Sequence, residues 1–142
     1  MQRVYFFSHD RSINLKHRKK LKIFIEDLFA KEKTELDNVS YIFCSDKYLL
    51  EINNRFLKHD FYTDVITFDL SSAKEGAGGE VYLSIDRIND NAKKIGVSFN
   101  EELHRVFFHG ALHLCGYSDK TKAQQKEMRE KENEYLLKYF KK

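Results

Sequence analysis

The sequence predicts an α+β fold: a single domain with a small mixed sheet of about four strands, packed with helices around a buried motif helix. Three observations lead there. Strand-like and helix-like segments intermingle without the strict alternation that builds a doubly wound parallel sheet. One helical segment, Asn100 to about Leu114, is apolar around most of its circumference, which is the pattern of a helix enclosed by its own protein. The chain has 142 residues, a length that suits one domain and buries a core without disulfide support.

Each element has its own signal. Val4 to Phe7 is a short run of strand type. Leu15 to Lys33 is helical, because Leu21, Phe24, Ile25, Leu28 and Phe29 recur at three-to-four spacing. Val39 to Cys44, VSYIFC, carries the β-branched and aromatic residues of a strand. Ser45 or Asp46 caps a helix through about Phe56, with Tyr48, Leu49 and Ile52 inward. Asp64 to Leu70, DVITFDL, is a strand. Ser71 to Gly79, SSAKEGAGG, is a flexible loop, and Glu80 to Ser84 is another strand. Asp86 to Ile95 is a short helix stopped by Gly96. The motif helix follows, capped by Ser98 or Asn100, with Leu103, Val106, Phe107, Phe108, Ala111 and Leu112 as its apolar surface. Lys120 to Tyr139 is a charged amphipathic helix that packs through Met128, Tyr135, Leu136 and Tyr139. The chain shows no repeat, and the domain is expected to run from 1 to 142.

Composition narrows the function classes. The formal net charge is only +3, so global charge does not announce nucleic-acid binding. Lys16, Arg18, Lys19, Lys20 and Lys22 do cluster on the first helix, either as a solvated face or as a surface that tracks phosphates. Two cysteines, Cys44 and Cys115, make no disulfide framework, and both are read as packing residues. The N-terminal apolar run is too short for a signal peptide, and no run approaches the length of a membrane span. A cytoplasmic location is expected.

The run HGALHLCGYSD, His109 to Asp119, carries the chemistry. Histidines four apart on a helix project from one face, about 6 Å apart along the axis. Gly116 can take a left-handed conformation and end the helix, and the returning chain can present Asp119. Three ligands leave one position open, as in a catalytic rather than a structural zinc site. The spacing resembles the metzincin pattern H-E-x-x-H-x-x-G-x-x-H. The glutamate of that pattern, which takes a proton from water, is replaced by Gly110. Metal binding is kept and the usual peptidase base is lost. Gly110 is either a tolerated helix glycine, about 1 kcal/mol less favourable than alanine, or a gap that lets a substrate backbone approach the ion.

These residues resemble the H-G-x-L-H-L-x-G-Y-x-H signature of the YbeY family of bacterial metal-dependent endoribonucleases. TDVITF, Thr63 to Phe68, resembles the family's T-[DN]-V-L-S-F strand. GGEVYLS resembles its G-D-I-x-I-S strand, with Glu80 at the acidic position, and Asn53 matches a family asparagine. The similarity runs from about Val39 to Leu137. It implies cleavage of phosphodiesters in single-stranded RNA, in rRNA processing and ribosome quality control, with the small ribosomal subunit as partner. It implies one bound Zn²⁺ held by His109, His113 and Asp119.

Two departures matter. The family's third ligand is usually histidine, and Asp119 stands there instead. Its oxygen suits zinc at about 2.0–2.2 Å, weakens the ion as a Lewis acid, and moves preference toward harder ions such as Mn²⁺. Leu57 occupies the place of a family arginine assigned to substrate phosphate, with Arg55 and Lys58 beside it as candidate replacements. Asp64 and His59 are the candidate general bases. Asp64 has two further readings, as a residue that orients an imidazole or as a plain strand start. Tyr117 stacks on a base, donates to a phosphate or packs at the helix end. His104 is read as structural, and His9 and His17 as exposed. Two other functions stay open: a ribosome assembly factor with a structural metal, and, disfavoured by Gly110, a metal-dependent peptidase.

Overall fold

The computed structural model describes residues 2–141. The elements run β1 (Val4–Ser8), α1 (Arg18–Lys31), β2 (Leu36–Cys44), α2 (Asp46–Leu57), β3 (Val65–Asp69), β4 (Ala77–Ser84), α3 (Ile85–Ile95), α4 (Phe99–Leu114) and α5 (Lys122–Phe140). The α+β expectation holds. One mixed sheet has the order β1-β2-β4-β3. β1 and β4 flank β2 in parallel, and β3 closes the edge antiparallel to β4. Parallel neighbours require crossovers; α1 makes the first, and α2 with β3 makes the second.

Alternation along the strands divides the interior. Val39, Tyr41 and Phe43 of β2 join Val81 and Leu83 of β4 in a large core with side chains of α1, α3, α4 and α5. Ile66 of β3 joins Cys44, Leu49 and Ile52 in a smaller core on the α2 side, with Tyr82 packed against it. Successive residues on a strand face opposite ways, so β2, β3 and β4 each serve both cores. Tyr41 is fully buried, and its hydroxyl donates to the Phe107 carbonyl of α4 at 3.0 Å. That bond satisfies the one polar atom of a large apolar side chain and fixes α4 across the sheet.

Three element boundaries differ from expectation. α1 begins at Arg18 rather than Leu15, because His17 adopts a left-handed conformation, φ 59°. Leu15 nevertheless reaches the core, 7% exposed, from an irregular segment. β2 begins at Leu36, earlier than Val39, where pairing with β4 extends it. The predicted loop Ser71–Gly79 ends early, and β4 starts at Ala77. Its glycines are there for space: a Cβ on Gly79 would stand 2.2 Å from the Phe68 carbonyl oxygen of β3. A glycine that admits a neighbouring backbone looks, in sequence, like a glycine that makes a turn.

The basic residues of α1 lie partly over aromatic rings of the same molecule. Lys20 Nζ sits 4.7 Å from the Tyr139 ring centre, and Arg18 and Lys22 lie near Phe6. At the other end of the chain, α5 opens with a capping box in which Thr121 and Gln124 satisfy each other's backbone N–H groups. Among the described residues no helix is long and apolar enough to cross a membrane.

Candidate metal centre

α4 sets the geometry. Ser98 caps it by accepting from the Glu101 N–H at 3.0 Å, and its apolar surface is buried throughout. His109 and His113, one turn apart, present their rings on one side with centres 4.6 Å apart. The helix stops after Leu114. Gly116 takes φ 105° with open space where a side chain would go, so the conformation alone demands glycine. The Tyr117 N–H returns to the Leu112 carbonyl at 3.0 Å, and the turned chain carries Asp119 back. Its Oδ2 lies 3.4 Å from Nε2 of both His109 and His113.

Each imidazole is held from behind. His109 Nδ1 lies 2.7 Å from Glu132 Oε2, and His113 Nδ1 lies 2.9 Å from the Tyr117 carbonyl oxygen. A carbonyl and an ionised carboxylate only accept, so both Nδ1 atoms carry the proton and donate. Both Nε2 lone pairs then face Asp119. Two ligands about 2.1 Å from a tetrahedral ion stand about 3.4 Å apart, which is the observed spacing. The three donor atoms lie within 4.8 Å of one another, and they fit one divalent cation.

Glu132 of α5 escapes the sequence reading. It is 6% exposed, and its second oxygen accepts from Arg105 Nη1 at 2.9 Å. Burial works to raise its pKa, but hydrogen bonds and charge from His109 and Arg105 prevail and hold it low. The same partnership raises His109 against the effect of burial. His113 is pushed the other way, first by burial and then by the neighbouring His109. The signal for Glu132 was available. It falls four residues after Met128 and three before Tyr135, a carboxylate inside an apolar stripe.

The triad opens onto a cleft of about 620 Å³ between the end of α4, the following turn and β3, within the roughly 300–1,000 Å³ of ligand sites. Asp64, just before β3, lines this cleft and a smaller recess behind His109, where Glu102 and Glu132 also lie. Burial raises the Asp64 pKa while His109 works to lower it. Leu57 lines the cleft, whereas Arg55, Lys58 and His59 are exposed and outside its lining. The His59 ring lies 5.0 Å from the Phe61 ring.

Other residues of the motif and its surroundings lie away from the His–His–Asp cluster. A Cβ on Gly110 would stand 2.8 Å from Val81 Cγ1, so this glycine admits the sheet beneath α4; an approach of substrate to the ion through Gly110 is overturned. Cys115 is half-buried, its thiol pushed up to about 12 by burial, and it lies outside the ligand cluster. The Tyr117 hydroxyl donates to Glu32 at 2.7 Å. His104 is buried, its Nδ1 2.7 Å from the Asn100 carbonyl and its ring stacked on Tyr139. Glu80 accepts from the Tyr82 hydroxyl at 3.1 Å.

Fold and site together define a class: an α+β protein with a helix-borne His–His–Asp cluster able to hold a metal in an open cleft. Comparison with known proteins narrows it. A family model described as Endoribonuclease YbeY matches residues 5–140. The chain is similar to proteins named Endoribonuclease YbeY from Cytophaga hutchinsonii, 44% identical over 94% of this chain and 93% of that one, and from Porphyromonas gingivalis, 36% identical over 96% and 90%. A solution structure of a Thermotoga maritima protein aligns with a TM-score of 0.68 and 29% identity, over 96% of this chain and 89% of that one. The chain belongs to the YbeY family. The match also takes in β1 and α1, which the motif resemblance left out.

Proposed function

We propose that the protein is a zinc-dependent endoribonuclease that cuts single-stranded RNA during rRNA maturation, acting on the small ribosomal subunit in the cytoplasm. The convergence of two Nε2 atoms and one carboxylate oxygen, with 3.4 Å to Asp119 from each histidine, carries this reading. The names of the relatives supply the substrate class. Zinc held by His109, His113 and Asp119 would supply a water of pKa about 7 and a Lewis acid for a phosphoryl oxygen; Mn²⁺ would suit the mixed nitrogen and oxygen donors as well.

The residues of the chain do the rest. Glu132 and the Tyr117 carbonyl hold both imidazoles in the tautomer that leaves Nε2 free. Asp64 borders the cleft with a pKa raised by burial, which moves a carboxylate toward the range of a general base. We assign it the proton of the attacking hydroxyl, whether that hydroxyl comes from water or from the RNA ribose. His59, exposed beyond the lip, is the weaker candidate. Arg55 and Lys58 would meet phosphates flanking the cleft.

Replacing His113 by alanine is expected to abolish both bound metal and RNA cleavage while circular dichroism shows a folded protein. Full metal content in that variant would refute the ligand set. A second reading is an assembly factor with a structural metal. It draws support from the cleft lining, which holds no lysine or arginine. Stoichiometric binding to small-subunit components, with no cleavage by metal-loaded protein, would favour it.

A further inference from the structure

Exposed aromatic side chains gather where α2 leads into β3, and Phe61 among them lines the cleft. Phe61 is 51% exposed, Tyr62 54% and Phe56 61%. Phe61 lines the cleft together with Leu57, across from the triad. The lip is held in place. Asn53 is 2% exposed, its Nδ2 donates to the Phe61 carbonyl at 2.9 Å, and its own carbonyl accepts from the His59 N–H at 3.1 Å. Phe56 is set edge-on against Phe68. The Arg87 guanidinium lies 5.0 Å from the Tyr62 ring centre and is tied to Asp46 at 2.7 Å. All three rings nevertheless remain half or more exposed, although each could bury a large apolar area.

The cleft beside Phe61 is acidic. Its lining includes Asp64, Asp69 and Asp119 and no lysine or arginine. A polyanion entering there is not gripped by protein cations. Besides phosphate, a single strand offers the flat faces of its unpaired bases. Aromatic rings flanked by cations bind such faces without regard to sequence, and Arg55 and Lys58 supply the flanking charge.

We propose that Phe61 stacks on an unpaired base next to the bond presented to the His109–His113–Asp119 centre. Resting on the nuclease reading above, this makes strandedness and base contact the basis of substrate choice. Paired bases have no free face to offer, so duplex RNA is excluded.

The test is a titration of a labelled oligoadenylate of about twelve nucleotides, read by fluorescence anisotropy with chelator-treated protein. The same oligomer carrying one abasic site, and its duplex with oligouridylate, serve as comparisons. Cleavage is followed in parallel with metal-loaded protein. Loss of one stacked base is expected to weaken binding by roughly 5- to 150-fold in Phe61→Ala. Phe61→Tyr retains the wild-type affinity. An abasic site at one position weakens the wild type equally and adds nothing to Phe61→Ala. KM for cleavage rises with kcat unchanged.

Equal affinity and KM in wild type and Phe61→Ala, while the wild type still binds and cuts RNA, would overturn the stacking and leave the nuclease reading intact. A wild type that neither binds nor cuts single strands would sink both. A wild-type dimer that Phe61→Ala dissolves in sedimentation, with RNA affinity unchanged, would assign the lip to self-association and overturn the proposal as well.

Discussion

The two walls of the cleft are built on opposite principles. On one side, α4, the Gly116 turn and α5 bury their polar atoms and pair them: Glu132 with His109 and Arg105, the Tyr117 carbonyl with His113. On the other, the segment from Phe56 to Tyr62 leaves three aromatic rings in solvent. On the functions proposed above, the difference follows from what each wall would have to do. An ion demands donor atoms placed to a few tenths of an ångström, and only packed and hydrogen-bonded side chains hold that tolerance. A flexible strand tolerates variation but needs free surface to bind. In a single cleft, order is concentrated where geometry is critical and exposure where contact is wanted.

The sharpest way to break this contrast is Glu132→Ala. It frees the His109 ring and leaves the Arg105 charge with a lost partner. Metal affinity should fall about 10- to 100-fold, and stability by about 3–5 kcal/mol. Metal titration and thermal melting measure the two effects. Unchanged metal affinity would mean that the buried wall does not tune its ligands.

Gly110→Ala probes the same wall from beneath. The added methyl meets Val81 at 2.8 Å, and overpacking of this kind costs about 1–3 kcal/mol. Combining it with Val81→Ala should give a stability above the sum of the two single losses, because the second change removes the clash. Strict additivity in denaturant melts would show that α4 does not rest on Val81.

Glu32 lets pH into the comparison, since it ties the Tyr117 hydroxyl of the site turn to Tyr135 of α5. Burial works to raise its pKa, but bonds from Tyr135 and Tyr117 and the nearby Lys131 outweigh that and hold it below the ordinary value of 4.5. The folded pKa is thus depressed, so its contribution is present above pH 4.5 and is lost as pH falls through the folded value. Glu32→Gln should be about 1–2 kcal/mol less stable than the wild type at neutral pH. The gap should close on acidification, and a gap independent of pH in melting curves would contradict the assignment.

The smallest effect is expected at the open wall. Leu57→Arg places a cation at the cleft edge. Stability should hardly change, while the logarithmic salt dependence of RNA binding steepens by about 0.7 for one added phosphate contact. An unaltered slope would mean that phosphate does not pass this edge.

Much of the architecture was legible along the chain, and the failures share a cause. The strands and helices could be read from residue spacing, and His109 and His113 share a face because the helical repeat is a local property. Leu15, Gly79 and Glu132 were misread or missed. Leu15 is apolar and buried, yet it reaches the core from irregular chain. Gly79 has the composition of a loop and the position of a strand, because β3 lies against it. Glu132 looks like one more charge on a charged helix until α5 is laid on α4.

The sequence by itself determined the family, the α+β class, the pair of histidines on one helical side and the glycine that turns the chain after them. The histidine pair and the glycine depend on residues within a few positions of one another, and the class and family on such local patterns taken in order along the chain. Only the tertiary structure decided that Glu132 backs His109, that Gly110 faces Val81, and that Leu57 and Phe61 stand across from the triad. Those meetings join residues distant along the chain. They are set by how helices and strands pack against each other, and no local pattern carries that information.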